Sequence, residues 1–179
     1  MMDSTKKVNK YYGKYRGTVF NNSDLEQRGR IQALVPDVYG LVPSSWAMPC
    51  VPIAGKQQGF FMVPQVGASV WIEFEQGDPD YPIWVGGFWG IGAVVPTLAL
   101  VPPPILLGQN IVIQTTLQNS LILSDSVPTP ETGGIVLKNA TGAMIVVNDS
   151  GIYIQNGKGA SLNMVGPTVT INNGALIIT

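Results

Sequence analysis

Apolar and polar positions along the first half of the chain alternate at the two-residue period of strands, and no window holds the 3.6-residue period of a helix. Tyr15–Phe20 is β-prone, and Gly29–Pro36 sets Ile31, Ala33 and Val35 on one face. Gly67–Glu75 sets Val70, Ile72 and Phe74 opposite Trp71, Glu73 and Glu75. Pro82–Trp89 reads as an apolar strand broken or bulged at Gly86–Gly87. Asn21–Asp24 and Gly77–Asp80 have turn chemistry. About five short strands in roughly 75 residues predict a small barrel of the OB or SH3 kind.

From residue 110 the pattern changes. Apolar triplets recur at Ile111–Ile113, Leu121–Leu123, Ile135–Leu137, Ile145–Val147, Ile152–Ile154, Leu162–Met164, Val169–Ile171 and Leu176–Ile178. From Ile135 their starts lie 10, 7, 10, 7 and 7 residues apart, separated by turns rich in Asn, Asp, Ser and Gly. Most triplets are apolar at their first and third residues, which is strand alternation. Three-residue strands with such small turns cannot enclose a core alone; repeated, they are the signature of a β-helix or β-prism. Tyr153 is the sole aromatic residue after Trp89, so a rod of this segment needs neighbouring chains to complete its interior. Intertwining would also give each open strand edge a partner from another chain. A single-chain solenoid and half of a sandwich are the alternatives.

Composition sharpens this picture. Of 179 residues 45% are hydrophobic and only 12% charged, about half the usual charged share. Either a membrane or further copies of the chain must cover that surface. The most apolar stretch, Ile91–Leu107, carries Pro96 and Pro102 to Pro104; it is shorter than the roughly 20 residues of a spanning helix, and each interior proline costs a helix about 3 kcal/mol. It reads as an extended linker lying against protein. The N-terminus has charges but no apolar run behind them, so a secretory signal is not expected. Charge is uneven: residues 1–30 hold seven basic and three acidic side chains, whereas residues 31–179 hold three basic and eight acidic. After Gly90 only Asp125, Glu131, Lys138, Asp149 and Lys158 are charged.

Candidate chemistry is sparse. With no histidine and one cysteine, Cys50, neither a Ser-His-Asp nor a Cys-His arrangement can be built, nor a His/Cys zinc site. Glu73 and Glu75 could act as paired carboxylates, but a solvated strand face is the simpler reading. The basic, tyrosine-rich segment Lys6, Lys7, Lys10, Tyr11, Tyr12, Lys14, Tyr15 and Arg16 could hold single-stranded nucleic acid; a flexible arm, or one docked on an acidic hub, is favoured, and the isoelectric point near 5.2 opposes a nucleic-acid domain. Asp78 and Asp80 could hold a cation, though turn chemistry explains them. Trp46, Trp71, Trp84 and Trp89 read as core or subunit contacts, and Cys50 as a small buried residue.

Several segments together resemble one family: YRGTV at Tyr15–Val19, GRIQ at Gly29–Gln32, SSWAMP at Ser44–Pro49, GFF at Gly59–Phe61, PQVGASVWIEFE at Pro64–Glu75 and QGDPDYPIWVGGFWG at Gln76–Gly90. Their order and spacing resemble the OB-fold of the phage baseplate assembly protein V family, the central spike of contractile tails. Related spikes occur in type VI secretion and in contractile injection systems. Gly133–Leu162 is similar to the repetitive β-helical part of these spikes. The resemblance implies an all-β chain in four parts: an N-terminal arm (1–13), an OB-fold collar (14–90), a Pro-rich linker (91–109) and a spike (110–179). The spike would be an intertwined trimeric β-helix or β-prism needle.

The implied function is structural. A homotrimer sits below a baseplate hub protein in the virion tail, or in a phage-derived injection particle, and touches the bacterial envelope transiently when the sheath contracts. It is made in the bacterial cytoplasm, is not an enzyme, uses no cofactor and binds no specific nucleic acid. Ile135, Leu137, Ile145, Val147, Ile152, Ile154, Leu162, Met164, Val169 and Ile171 are expected in the needle interior, with Gly142, Gly151 and Gly159 at its turns. Two departures matter. The linker leaves no room for the lysozyme domain of some spikes, and the absence of histidine excludes the iron-binding tip of others. The apolar end Leu176, Ile177, Ile178 and Thr179 is therefore expected to bind a separate tip protein of the PAAR kind. The alternative from another class is an OB-fold binding module for single-stranded nucleic acid or polysaccharide.

Overall fold

A computed structural model describes residues 9–91, 94–100 and 110–178. The chain divides into two compact units, Met1–Gly92 and Ala93–Thr179.

The first unit is built on a curled five-stranded sheet of order β2-β1-β6-β7-β3. Its strands are β1 Tyr15–Asn21, β2 Gln32–Leu34, β3 Met48–Pro49, β6 Ser69–Phe74 and β7 Pro82–Gly87. A separate two-stranded hairpin, β4 Ala54–Gly55 and β5 Gln58–Gly59, lies between β3 and β6 in the chain. The alternation predicted for β6 is realised: Val70, Ile72 and Phe74 are buried, and they join Val19, Ile31, Ala33, Val35, Ala47 and Trp84 in one core. Trp84 keeps its indole N–H satisfied by donating to Gly29 O at 3.0 Å, as a buried tryptophan must. The bulge expected in β7 also occurs: the register against β6 shifts between Val70↔Gly87 and Ile72↔Trp84. β3 pairs parallel to β7 and curls the sheet back.

Three local readings are corrected. A single helical turn, Pro36–Tyr39, interrupts the strands. Proline at its start presets φ, and four residues are too few to show a period. Cys50 is exposed rather than buried: it lies just past the short strand β3, where its backbone N–H pairs with Trp84 O at 2.9 Å while its side chain meets solvent. Residues from the arm also pack on this unit. Tyr11 N–H donates to Gly77 O at 2.8 Å, and its ring meets Tyr15 and Phe74.

The second unit is one eight-stranded antiparallel meander in sequence order. Its strands are β8 Asn110–Gln114, β9 Ser120–Thr129, β10 Thr132–Lys138 and β11 Ala143–Asn148, followed by β12 Gly151–Asn156, β13 Ser161–Val165, β14 Thr168–Ile171 and β15 Leu176–Ile178. Each of the eight apolar triplets lies in one of these strands. The backbone pairing expected between chains runs instead within one chain, because each turn is short enough to return the next strand beside the last. Before β8, a short 3-10 turn at Thr97–Leu100 brings Leu98 onto the sheet. No helix among the described residues is long and apolar enough to cross a membrane.

Candidate assembly interface

The registers of the meander set its aliphatic residues in two columns on one face. Ile111, Leu123, Ile135, Val147, Ile152, Met164, Val169 and Ile178 are consecutive cross-strand partners. Ile113, Leu121, Leu137, Ile145, Ile154, Leu162, Ile171 and Leu176 form the second column. Strand alternation makes this inevitable once the registers hold: first and third residues of every triplet point one way. Neighbouring side chains across the ladder stand roughly 5 Å apart and stack along it.

The single chain leaves this face bare. Ile135 is 48% exposed, Leu137 47%, Ile152 37% and Ile154 39%; Leu162, Met164, Val169 and Ile171 are half-buried. The opposite face supplies the unit's own core: Ile122, Val136, Val146 and Tyr153 are buried, with Leu98, Val112 and Met144 packed against them. All ten residues expected in a needle interior therefore share the bare face. Sequence reasoning left Ile111, Ile113, Leu121 and Leu123 out of that set although the same first-and-third rule identifies them. It also placed Leu176 and Ile178 at a tip; they continue the two columns, whereas Ile177 faces the other way. Thr179 lies outside the described residues.

The turns are held by their leading asparagines, Asn139, Asn148 and Asn156, where the sequence reading had assigned a role only to the glycines. Asn139 Oδ1 accepts from the backbone N–H groups of Thr141 (3.0 Å) and Ala143 (2.9 Å). Asn156 Oδ1 accepts from Lys158 (2.8 Å) and Ala160 (3.0 Å) in the same way. Asn148 Oδ1 accepts from Ser150 N–H at 2.9 Å, while its Nδ2 donates to Thr129 O and Thr132 O, both at 2.8 Å. The signal was the recurrence of Asn at strand ends, where its side chain mimics a backbone turn. Of the expected turn glycines, Gly142 and Gly159 sit in turns at φ +92° and +102°, and Gly151 opens β12 at +154°. A Cβ at Gly151 would stand 2.4 Å from Met164 O, and one at Gly157, which was not among the expected turn glycines, 2.5 Å from Thr141 O.

The other candidates disperse. Glu73 pairs with Lys14, while Glu75 leaves the strand and begins a 3-10 turn. Asp78 Oδ1 accepts from Asp80 N–H at 3.1 Å and its Oδ2 meets Lys10 Nζ at 3.4 Å. No group of three or more metal-ligating side chains occurs among the described residues. Of the basic segment, Lys6 and Lys7 lie outside the described residues, and Arg16 stacks over Trp71 and Phe88 at 5.6 and 5.3 Å. Tyr39 packs edge-on to Phe74 and its hydroxyl donates to Pro79 O; burial, then the charges of Asp80 and Asp78, push its pKa up to about 12. Among the tryptophans, Trp84 is core, Trp46 lies under Arg30, and Trp89 is exposed.

A curled OB-type sheet and a meander with one bare aliphatic face define an all-β chain with a surface suited to assembly. Residues 15–89 match the type VI secretion system/phage-baseplate injector OB domain. Residues 110–177 match the phage baseplate V C-terminal trimerisation domain. The chain belongs to this baseplate V family of injector and spike proteins, whose domains are structural. No curated protein matches it.

Proposed function

We propose that three copies close their aliphatic faces around one axis and form the central spike of a contractile tail baseplate. The observation that carries this reading is the pair of uninterrupted aliphatic columns running through all eight strands of a sheet whose family is a trimerisation domain. Eight strands at about 4.8 Å spacing make a strip on the order of 35–40 Å long. Its apolar face is two side chains wide, narrow enough for three strips to meet with no channel between them. Covering sixteen half-exposed aliphatic side chains contributes on the order of 20–30 kcal/mol per chain before the entropy lost on association is subtracted. Patches of this size on a monomer mark an interaction surface.

In this reading the role is mechanical and uses no catalytic residue. The spike hangs below a hub protein, leads the tube through the bacterial envelope when the sheath contracts, and is made in the bacterial cytoplasm before incorporation. One edge of the sheet is β15, where Leu176, Ile177 and Ile178 are all exposed. A separate tip protein of the PAAR kind covers these apolar edges. The test is Ile145→Asp in the full chain. Three carboxylates facing one dry axis are too costly to bury, so light scattering should report single chains instead of trimers. A variant that remains trimeric would place Ile145, and with it this face, outside the interface.

A further inference from the structure

The β4–β5 hairpin of the OB unit is shaped for a partner that the single chain does not supply. Its strands are two residues long, all four residues are exposed, and it forms a sheet separate from the barrel. Isolated two-stranded hairpins are marginal in water. This one is nevertheless specified in detail: Gln57 turns at φ +58°, and at Gly59 (φ +147°) a Cβ would stand 2.6 Å from Ile53 O. Its flanks display Ile53, Phe60, Phe61 and Met62, of which Phe61 is 74% exposed. With Trp84 and Val63 they bound a groove of about 670 Å³, and Gln27, Arg28 and Gln58 lie among its lining residues. An apolar floor with polar neighbours is the anatomy of a protein interface.

We infer that this hairpin is covered by the OB unit of a second copy of the chain. The inference rests on the three-copy reading. A trimerisation domain on the same chain brings two further OB units into one assembly, which raises their local concentration to roughly the millimolar range. A contact too weak to join free OB units is occupied under those conditions. Cyclic three-fold contacts are heterologous, so the groove must meet a different patch. Outside the hairpin, Leu41 and Val42 are the one adjacent pair of exposed large apolar residues among the described residues of this unit. They follow Gly40, which turns at φ +64°, and the inference assigns them as the knob that seats in the neighbour's groove.

Hydrogen exchange of the full-length protein, read by mass spectrometry, tests this. Amides of residues 51–63 and 40–43 should exchange about tenfold more slowly in the native trimer than in the Ile145→Asp chain. Phe61→Asp should keep the trimer mass and raise exchange in both segments. If Ile145→Asp is monomeric and the hairpin exchanges as it does in the native protein, the inference is overturned while the aliphatic-face reading stands. If Ile145→Asp stays trimeric, that reading fails, and Phe61→Asp still decides: unchanged exchange at 40–43 overturns the inference. Protection that appears only when the hub protein is added gives the groove to the hub and equally overturns it.

Discussion

At the scale of single residues, Asp24 shows how one side chain organises a loop. Its carboxylate accepts backbone N–H groups from Glu26 (3.1 Å), Arg28 (2.8 Å) and Arg30 (3.2 Å), and also the Arg30 guanidinium through Nε (3.1 Å) and Nη2 (2.7 Å). Arg30 is in turn stacked on Trp46 at 5.5 Å and shared with Glu26. The Arg30 guanidinium, with these N–H groups, holds the Asp24 carboxyl well below the usual carboxylate range. A depressed folded-state pKa means that the stabilisation is complete above the unfolded value of about 4 and fades as pH falls toward the folded one. Melting of the wild type should therefore shift downward on acidification from about pH 5 to about pH 2. Asp24→Asn should melt lower at neutral pH and lose most of that acid dependence; parallel pH profiles would remove Asp24 from this role. The sequence marked residues 21–24 as a turn, but it could not show that a residue six positions on would return to the same carboxylate. Cys50 went wrong for a related reason: residue type favours burial, whereas exposure there was decided by its place just past a two-residue strand.

At the scale of elements, the strand positions were legible because alternation is a local property. Every triplet from Ile111 to Ile178 lies in a strand, and Val70, Ile72 and Phe74 face the core as their spacing demands. Pairing partners were not legible. A repeat of short strands is compatible with pairing inside a chain or between chains, and turn geometry, fixed by Asn139, Asn148 and Asn156, decides for the former. The Pro36–Tyr39 turn and the β4–β5 hairpin were too short to carry a period. The two faces of the meander make different demands, and adjacent residues separate them. Val169 and Thr170 are both half-buried in the single chain, yet Val169 belongs to the aliphatic columns and Thr170 to the opposite face. Val169→Asp should abolish the trimer, and Thr170→Asp should leave its mass unchanged by light scattering. The reverse pattern would mean that the wrong face has been assigned to assembly.

At the scale of the whole molecule, the low charge and the bare face have one cause. Only five charged residues follow Gly90, and none of them lies in the two columns. The barrel and its family were readable from the order and spacing of motifs between Tyr15 and Gly90, which the OB-domain match over 15–89 bears out. The number of chains was not readable from pattern, because a bare strip records that it must be covered and not by how many copies. An OB binding module for nucleic acid finds little support in the described part of the basic segment: Lys10 and Lys14 are paired with Asp78 and Glu73, and Arg16 is stacked on aromatic rings. The central claim is that the aliphatic columns close a three-chain spike, and the solution mass tests it most directly. Light scattering of the full chain, repeated after mild SDS, should give about 57 kDa, three chains of 19.1 kDa, in both conditions. A single-chain mass of 19.1 kDa at working concentrations would contradict it.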